Sequence, residues 1–164
     1  MRGPGLRPRR PRKDGLFESK LHEIVSCHSL LVACKGKMKI KDIEDLIVWK
    51  EARNLRNLVY EISDKYPKEE KYITVRHMKS CSRNVPANIA EGFGRYNYQE
   101  SVQFYRIARG SLLELKSDVY CSLDSNFLDK EDFSKLLEKI NQVGMLLNGF
   151  IKSTLKVKNH TSNE

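Results

Sequence analysis

From Asp42 to about Lys65, the apolar residues Ile43, Leu46, Ile47, Ala52, Leu55, Val59 and Ile62 return at steps of three and four, with Trp49 beside the stripe. That period predicts an amphipathic helix. Asp42 is placed to cap it, and Glu44 and Asp45 face the positive end of its dipole. Tyr66 and Pro67 close this helix, and Pro67 suits the first turn of a second one running from Lys68 or Glu70 to Glu91. The second stripe is thinner, carried by Met78, Cys81, Val85 and Ile89, and Gly92 and Gly94 are expected to end it in the left-handed conformation. Asn97 with Glu100 reads as a capping box that opens a third helix. Its inward residues are Val102, Tyr105, Ile107, Ala108, Leu112, Leu115 and Val119, and it ends near Ser125 or Asn126. Asp129 and Asp132 start a fourth helix whose stripe is Phe133, Leu136, Leu137, Ile140, Val143, Leu147, Phe150 and Ile151.

Four helices joined by short polar turns hide their stripes by packing against one another, and no segment carries the period of a strand. The expected fold is therefore all-α, an antiparallel up-down-up-down four-helix bundle over residues 38–157 with a loose polar tail at 158–164. The segment from Lys79 to Arg95 is its least ordinary part. Pro86 falls inside a helix, where it removes a backbone donor and crowds the carbonyl of Ser82, and a kink is expected there. The small residues Ala87, Ala90, Gly92 and Gly94 that follow invite a neighbouring backbone to come close.

Charge changes the picture at the N-terminus. The whole chain carries 30 Lys or Arg against 21 Asp or Glu, a net +9. Residues 1–37 hold nine basic and three acidic residues, about +6 of that total, which leaves the bundle mildly basic at about +3. The opening MRGPGLRPRRPRKDG separates its arginines with prolines and glycines and reads as a disordered basic arm. It is either an electrostatic tether or the product of an over-extended start codon, since Met38 begins the well-patterned sequence. Ile24 to Cys34 has the outline of a lipoprotein cleavage box, but Ser26, Cys27, His28 and Ser29 interrupt its apolar run and Asp14, Glu18 and Glu23 spoil its basic lead. No apolar run is long enough to span a membrane. Four cysteines, Cys27, Cys34, Cys81 and Cys121, show no paired spacing and point to a reducing cytoplasm.

Candidate chemistry is sparse. The Glu-x-x-His pairs of a di-iron bundle are absent, and only His77 and His160 follow the arm. The arginine that some helical ribonucleases place four to six residues ahead of a catalytic histidine is missing before both. Cys81 and Cys121 read as small core residues, and GFGR lacks phosphate-loop spacing. Neither an enzyme, nor a cofactor, nor a metal site is expected. Basic residues are the better lead: Lys79 and Arg83 one turn apart, Arg106 and Arg109 three apart, and Arg95 in a turn beside Tyr96 and Tyr98, which offer stacking surface to unpaired bases. Lys79, Arg83, Arg95, Arg106, Tyr96 and Tyr98 form the candidate nucleic-acid surface. Glu91 and Arg109, set among small and apolar neighbours, are expected to act as an internal polar link instead.

Asn88 to Gly92, with Pro86 before and Arg95 after, resembles the signature of the bacterial four-helix-bundle family that includes the 23S rRNA intervening-sequence protein. A relative of that family is the accessory protein of diversity-generating retroelements. The likeness extends from Asp42 to about Ile151 through Asp45 to Trp49, Tyr66 with Pro67 and Glu70, and Ala108 to Leu115. It departs where many relatives have two adjacent arginines before the proline and this chain has Lys79 and Ser80. The resemblance implies a bundle that assembles as a homopentamer and binds RNA or DNA through a basic surface. The alternative is an oligomeric adaptor whose partner is a protein such as a reverse transcriptase.

Overall fold

The computed structural model describes residues 40–161, with side chains as far as Lys156, and these form a compact unit of their own. The basic arm and residues 162–164 lie outside the described residues. The unit holds four helices, α1 (Ile47–Ser63), α2 (Thr74–Phe93), α3 (Tyr98–Asp124) and α4 (Lys130–Thr161), with 3-10 turns at Ile43–Asp45 and Lys68–Tyr72. Each helix packs on its neighbours in the chain, and α1 closes the ring against α4. Cross-helix pairs fix the directions. Lys79 meets Asp64 between α2 and the end of α1, His77 meets Asp118 and Gly92 meets Tyr105 between α2 and α3, and Lys116 meets Asn141 while Arg109 meets Asn148 between α3 and α4. Along the α2–α3 and α3–α4 seams the numbers rise on one helix as they fall on the other, and Lys79 near the start of α2 faces Asp64 just past the end of α1, so adjacent helices run antiparallel.

The core is the expected set of stripes. Leu55, Met78, Ile89, Leu115, Leu136 and Leu147 are fully buried, each contributing about 1.5–3 kcal/mol relative to exposure. Two stripe residues face outward instead: Ile47 is 38% and Ile107 47% exposed. For Ile47 the reason is the start of the chain's first element. Asp42 caps a 3-10 turn rather than an α-helix, in a true capping box with Asp45, and α1 begins only at Ile47. The change of register turns Leu46 and Val48 inward in its place.

Other boundaries also move. Pro67 leads into a 3-10 turn, and α2 starts at Thr74, after the exposed Ile73. Ile73, Thr74 and Val75 are three β-branched residues in succession, which weakens the helix where the sequence pattern would have continued it. Asn97 caps α3 through the Gln99 N–H at 2.9 Å. The Asp129 carboxylate caps α4 by accepting the Asp132 N–H at 2.8 Å, and α4 runs on past Val157 to Thr161.

Pro86 sits inside α2 without ending it. None of the glycines has a positive φ among the described residues, where the left-handed position is Asn126 at φ 57°. Gly92 is therefore present for space: a Cβ there would lie 2.5 Å from Tyr105 Cε1 and 2.9 Å from the Ser101 carbonyl oxygen.

Candidate nucleic-acid interface

α1 and α2 leave a groove between them lined by Tyr60, Lys71, Tyr72, Val75, Arg76, Lys79, Ser80, Arg83 and Asn84. Its order follows from helical spacing. Arg76, Lys79 and Arg83 stand at i, i+3 and i+7 on the polar face of α2, while Val75, Met78, Cys81 and Val85 take the buried face. Tyr60 projects from α1 and is flanked by two cations, with Lys79 Nζ 4.9 Å and Arg56 Cζ 4.5 Å from its ring centroid. Lys71 lies 5.6 Å from the ring of the exposed Tyr72.

Four cations thus share one groove, and only Lys79 among them has an ion-pair partner in the described residues, Asp64 at 3.0 Å. The Asp64 side chain is 76% exposed, so that pair is weak and exchanges readily for another anion. Arg76 and Arg83 keep their guanidinium groups at the surface. Each offers a planar fork of donors matched to phosphate oxygens.

The other predicted residues lie elsewhere. Arg95, Tyr96 and Tyr98 are exposed at the α2–α3 turn, and the rise of α2 from Asn84, the last groove residue, to Gly92 puts about 12 Å between them and the groove. Arg95 is engaged by Glu91 one turn earlier and lies 4.9 Å from the centroid of Phe104. That pairing replaces the internal link expected of Glu91 and Arg109. Both residues are exposed, and Arg109 meets Asn148 at 3.4 Å. Arg106 is exposed on α3 with no ion-pair partner among the described residues. Tyr60, Lys71, Tyr72 and Arg76 were missed by sequence reasoning. Extending the Lys79–Arg83 spacing one turn toward the N-terminus would have found Arg76, whereas Tyr60 arrives from another helix.

On the opposite seam, Cys81 is 2% exposed and its thiol reaches Glu114 Oε2 at 3.5 Å. Burial first, and then the bond to Glu114, push its pKa up to about 12, which removes it as a free thiolate nucleophile. Cys121, expected in the core, is exposed. No described helix is long and apolar enough to cross a membrane.

A model of the 23S rRNA-intervening sequence protein family matches residues 44–149, which takes in all of α1, α2 and α3 and most of α4. Among solved structures, the chain is similar to a Bacteroides thetaiotaomicron protein of unknown function from the S23 ribosomal protein family. The TM-score is 0.61 at 14% identity, over 65% of this chain and 99% of that one, a likeness of fold. No curated protein matches the chain.

Proposed function

The chain belongs to the 23S rRNA-intervening sequence protein family, and from that premise we propose that it is a non-enzymatic RNA-binding protein of the cytoplasm which holds a phosphate backbone in the groove between α1 and α2. The observation that carries the reading is the convergence of Lys71, Arg76, Lys79 and Arg83 on one groove with Tyr60 and Tyr72. Several cations acting together are what backbone binding requires, because each neutralised phosphate releases counterions and adds its own increment. The two tyrosines favour unpaired RNA, whose splayed bases stack on aromatic rings. Assembly into a homo-oligomer, a pentamer by resemblance to the family, belongs to the same proposal and is read by sedimentation.

The test is fluorescence anisotropy of the full chain with single-stranded RNA at increasing salt. Binding is expected to weaken steeply, and Arg76→Ala with Arg83→Ala to weaken it further and flatten the salt slope by about 0.7 for each phosphate no longer neutralised. Loss on changing Arg95, Tyr96 and Tyr98 alone would move the site to the α2–α3 turn. Binding that ignores all of these and requires residues 1–37 would favour the adaptor, with a protein such as a reverse transcriptase as its partner.

A further inference from the structure

The seam between α2 and α3 brings together donors that the groove does not use. His77 and Cys81 stand one turn apart on α2, and Glu114 and Asp118 one turn apart on α3, and the antiparallel register sets the two pairs opposite each other. Cys81 belongs to the buried stripe, yet its sulfur is directed at the seam: Glu114 Oε2 is 3.5 Å away and His77 Nε2 3.7 Å. One ligand atom from each of these three residues lies within 4.8 Å of the others. In a tetrahedral zinc site, with bonds of about 2.3 Å to sulfur and 2.0–2.2 Å to nitrogen or oxygen, neighbouring donors stand about 3.3–3.6 Å apart. The two distances from sulfur already match to within a few tenths of an ångström. The remaining adjustment falls on the exposed Glu114 side chain.

The imidazole also has a carboxylate partner on α3. His77 Nδ1 is 2.7 Å from Asp118 Oδ2, so a carboxylate occupies one ring nitrogen and Nε2 is left for an ion, with Cys81 Sγ 3.8 Å from Nδ1 and 3.7 Å from Nε2. A carboxylate behind a histidine is the arrangement that fixes the tautomer of a metal-binding imidazole. His77 and Glu114 are exposed and Cys81 is buried, which gives the cluster an inner wall and an open side for entry.

We propose that His77, Cys81 and Glu114 bind a divalent transition-metal ion, zinc by their donor chemistry, with Asp118 positioning the imidazole and water completing the coordination. One sulfur, one nitrogen and one oxygen suit a borderline-soft ion and not magnesium or calcium, which take oxygen ligands. Cys81 enters as a thiolate, and the proton it now directs at Glu114 leaves to solvent, with no change of oxidation state. The ion ties α2 to α3 on the side of α2 turned away from the groove.

The experiment is a titration of the full chain with Co2+, in a non-thiol reductant, as a spectroscopic substitute for zinc. One equivalent is expected to bind, with a sulfur-to-cobalt charge-transfer band and the intense visible bands of a four-coordinate ion, both erased by excess Zn2+. Cys81→Ser should remove the charge-transfer band, and Asp118→Asn should weaken binding about 10–100-fold. Glu114→Gln, an exposed change that leaves the helical circular dichroism intact, should weaken it as well, and it decides the matter if Cys81→Ser does not fold. Serine at Cys27, Cys34 and Cys121 together should leave the spectrum unchanged. No charge-transfer band, a band that survives Cys81→Ser, affinity indifferent to Glu114→Gln, or a band that disappears with the other three cysteines would overturn the assignment.

Discussion

Gly92 and Gly110 are both helical glycines, and the space around them separates two uses of the residue. At Gly92 a methyl group would collide with the Tyr105 ring and the Ser101 carbonyl, whereas at Gly110 nothing lies within 4 Å of the added carbon. Gly92→Ala is expected to destabilise the bundle by about 1–3 kcal/mol through overpacking. Gly110→Ala is expected to stabilise it by about 0.5–1 kcal/mol, because alanine has less freedom to lose. Urea unfolding of the two variants reads both signs. The sequence offered two reasons for Gly92, a left-handed helix end and a close approach, which select the same amino acid, and only the close approach holds. Only the position of Tyr105, a residue of another helix, tells them apart. Helical spacing alone placed Lys79 and Arg83 on one face, and both line the groove, whereas the partner of Glu91 is the nearby Arg95 and not Arg109.

At the scale of elements, the start of α4 concentrates charge. Asp129 accepts the Asp132 N–H, chiefly for that reason its pKa lies below the ordinary 3.8, and Asp132 in turn receives Lys65 from the end of α1 at 2.6 Å. A carboxyl whose pKa is lowered on folding stabilises the fold above its unfolded pKa, and loses that effect as pH falls through the folded value. Asp129→Ala should therefore lower the melting temperature at neutral pH, with the gap from the parent chain narrowing below about pH 4. Lys65, raised above 10.5 mainly by its bond to Asp132, acts in the opposite sense: its contribution is complete below the unfolded value and fades as pH rises through the folded one. Thermal melts across pH check both limbs. The helices themselves were legible because apolar spacing is a property of one element. Their ends were less so, as α1 and α2 begin four or more residues late, where a 3-10 turn competes for the same cap and where three β-branched residues meet.

For the whole molecule, the decisive property is that residues 40–161 close their own core. Removing residues 1–37 is expected to leave the unfolding transition of the bundle in place while weakening RNA binding, since about +6 of the net +9 leaves with them. Calorimetry and anisotropy on the shortened chain test the two halves of that expectation. The groove was only half legible from the sequence because it is assembled by register: Tyr60 and Arg76 meet across two helices, and spacing within a single helix carries no record of that. Pro86 adds a mechanical consequence. It falls between the stretch of α2 that bears Arg76, Lys79 and Arg83 and the stretch that bears Gly92, at the point where the ladder lacks one rung. The cationic stretch and the tightly packed glycine thus sit on opposite sides of a missing hydrogen bond, the point at which α2 resists bending least.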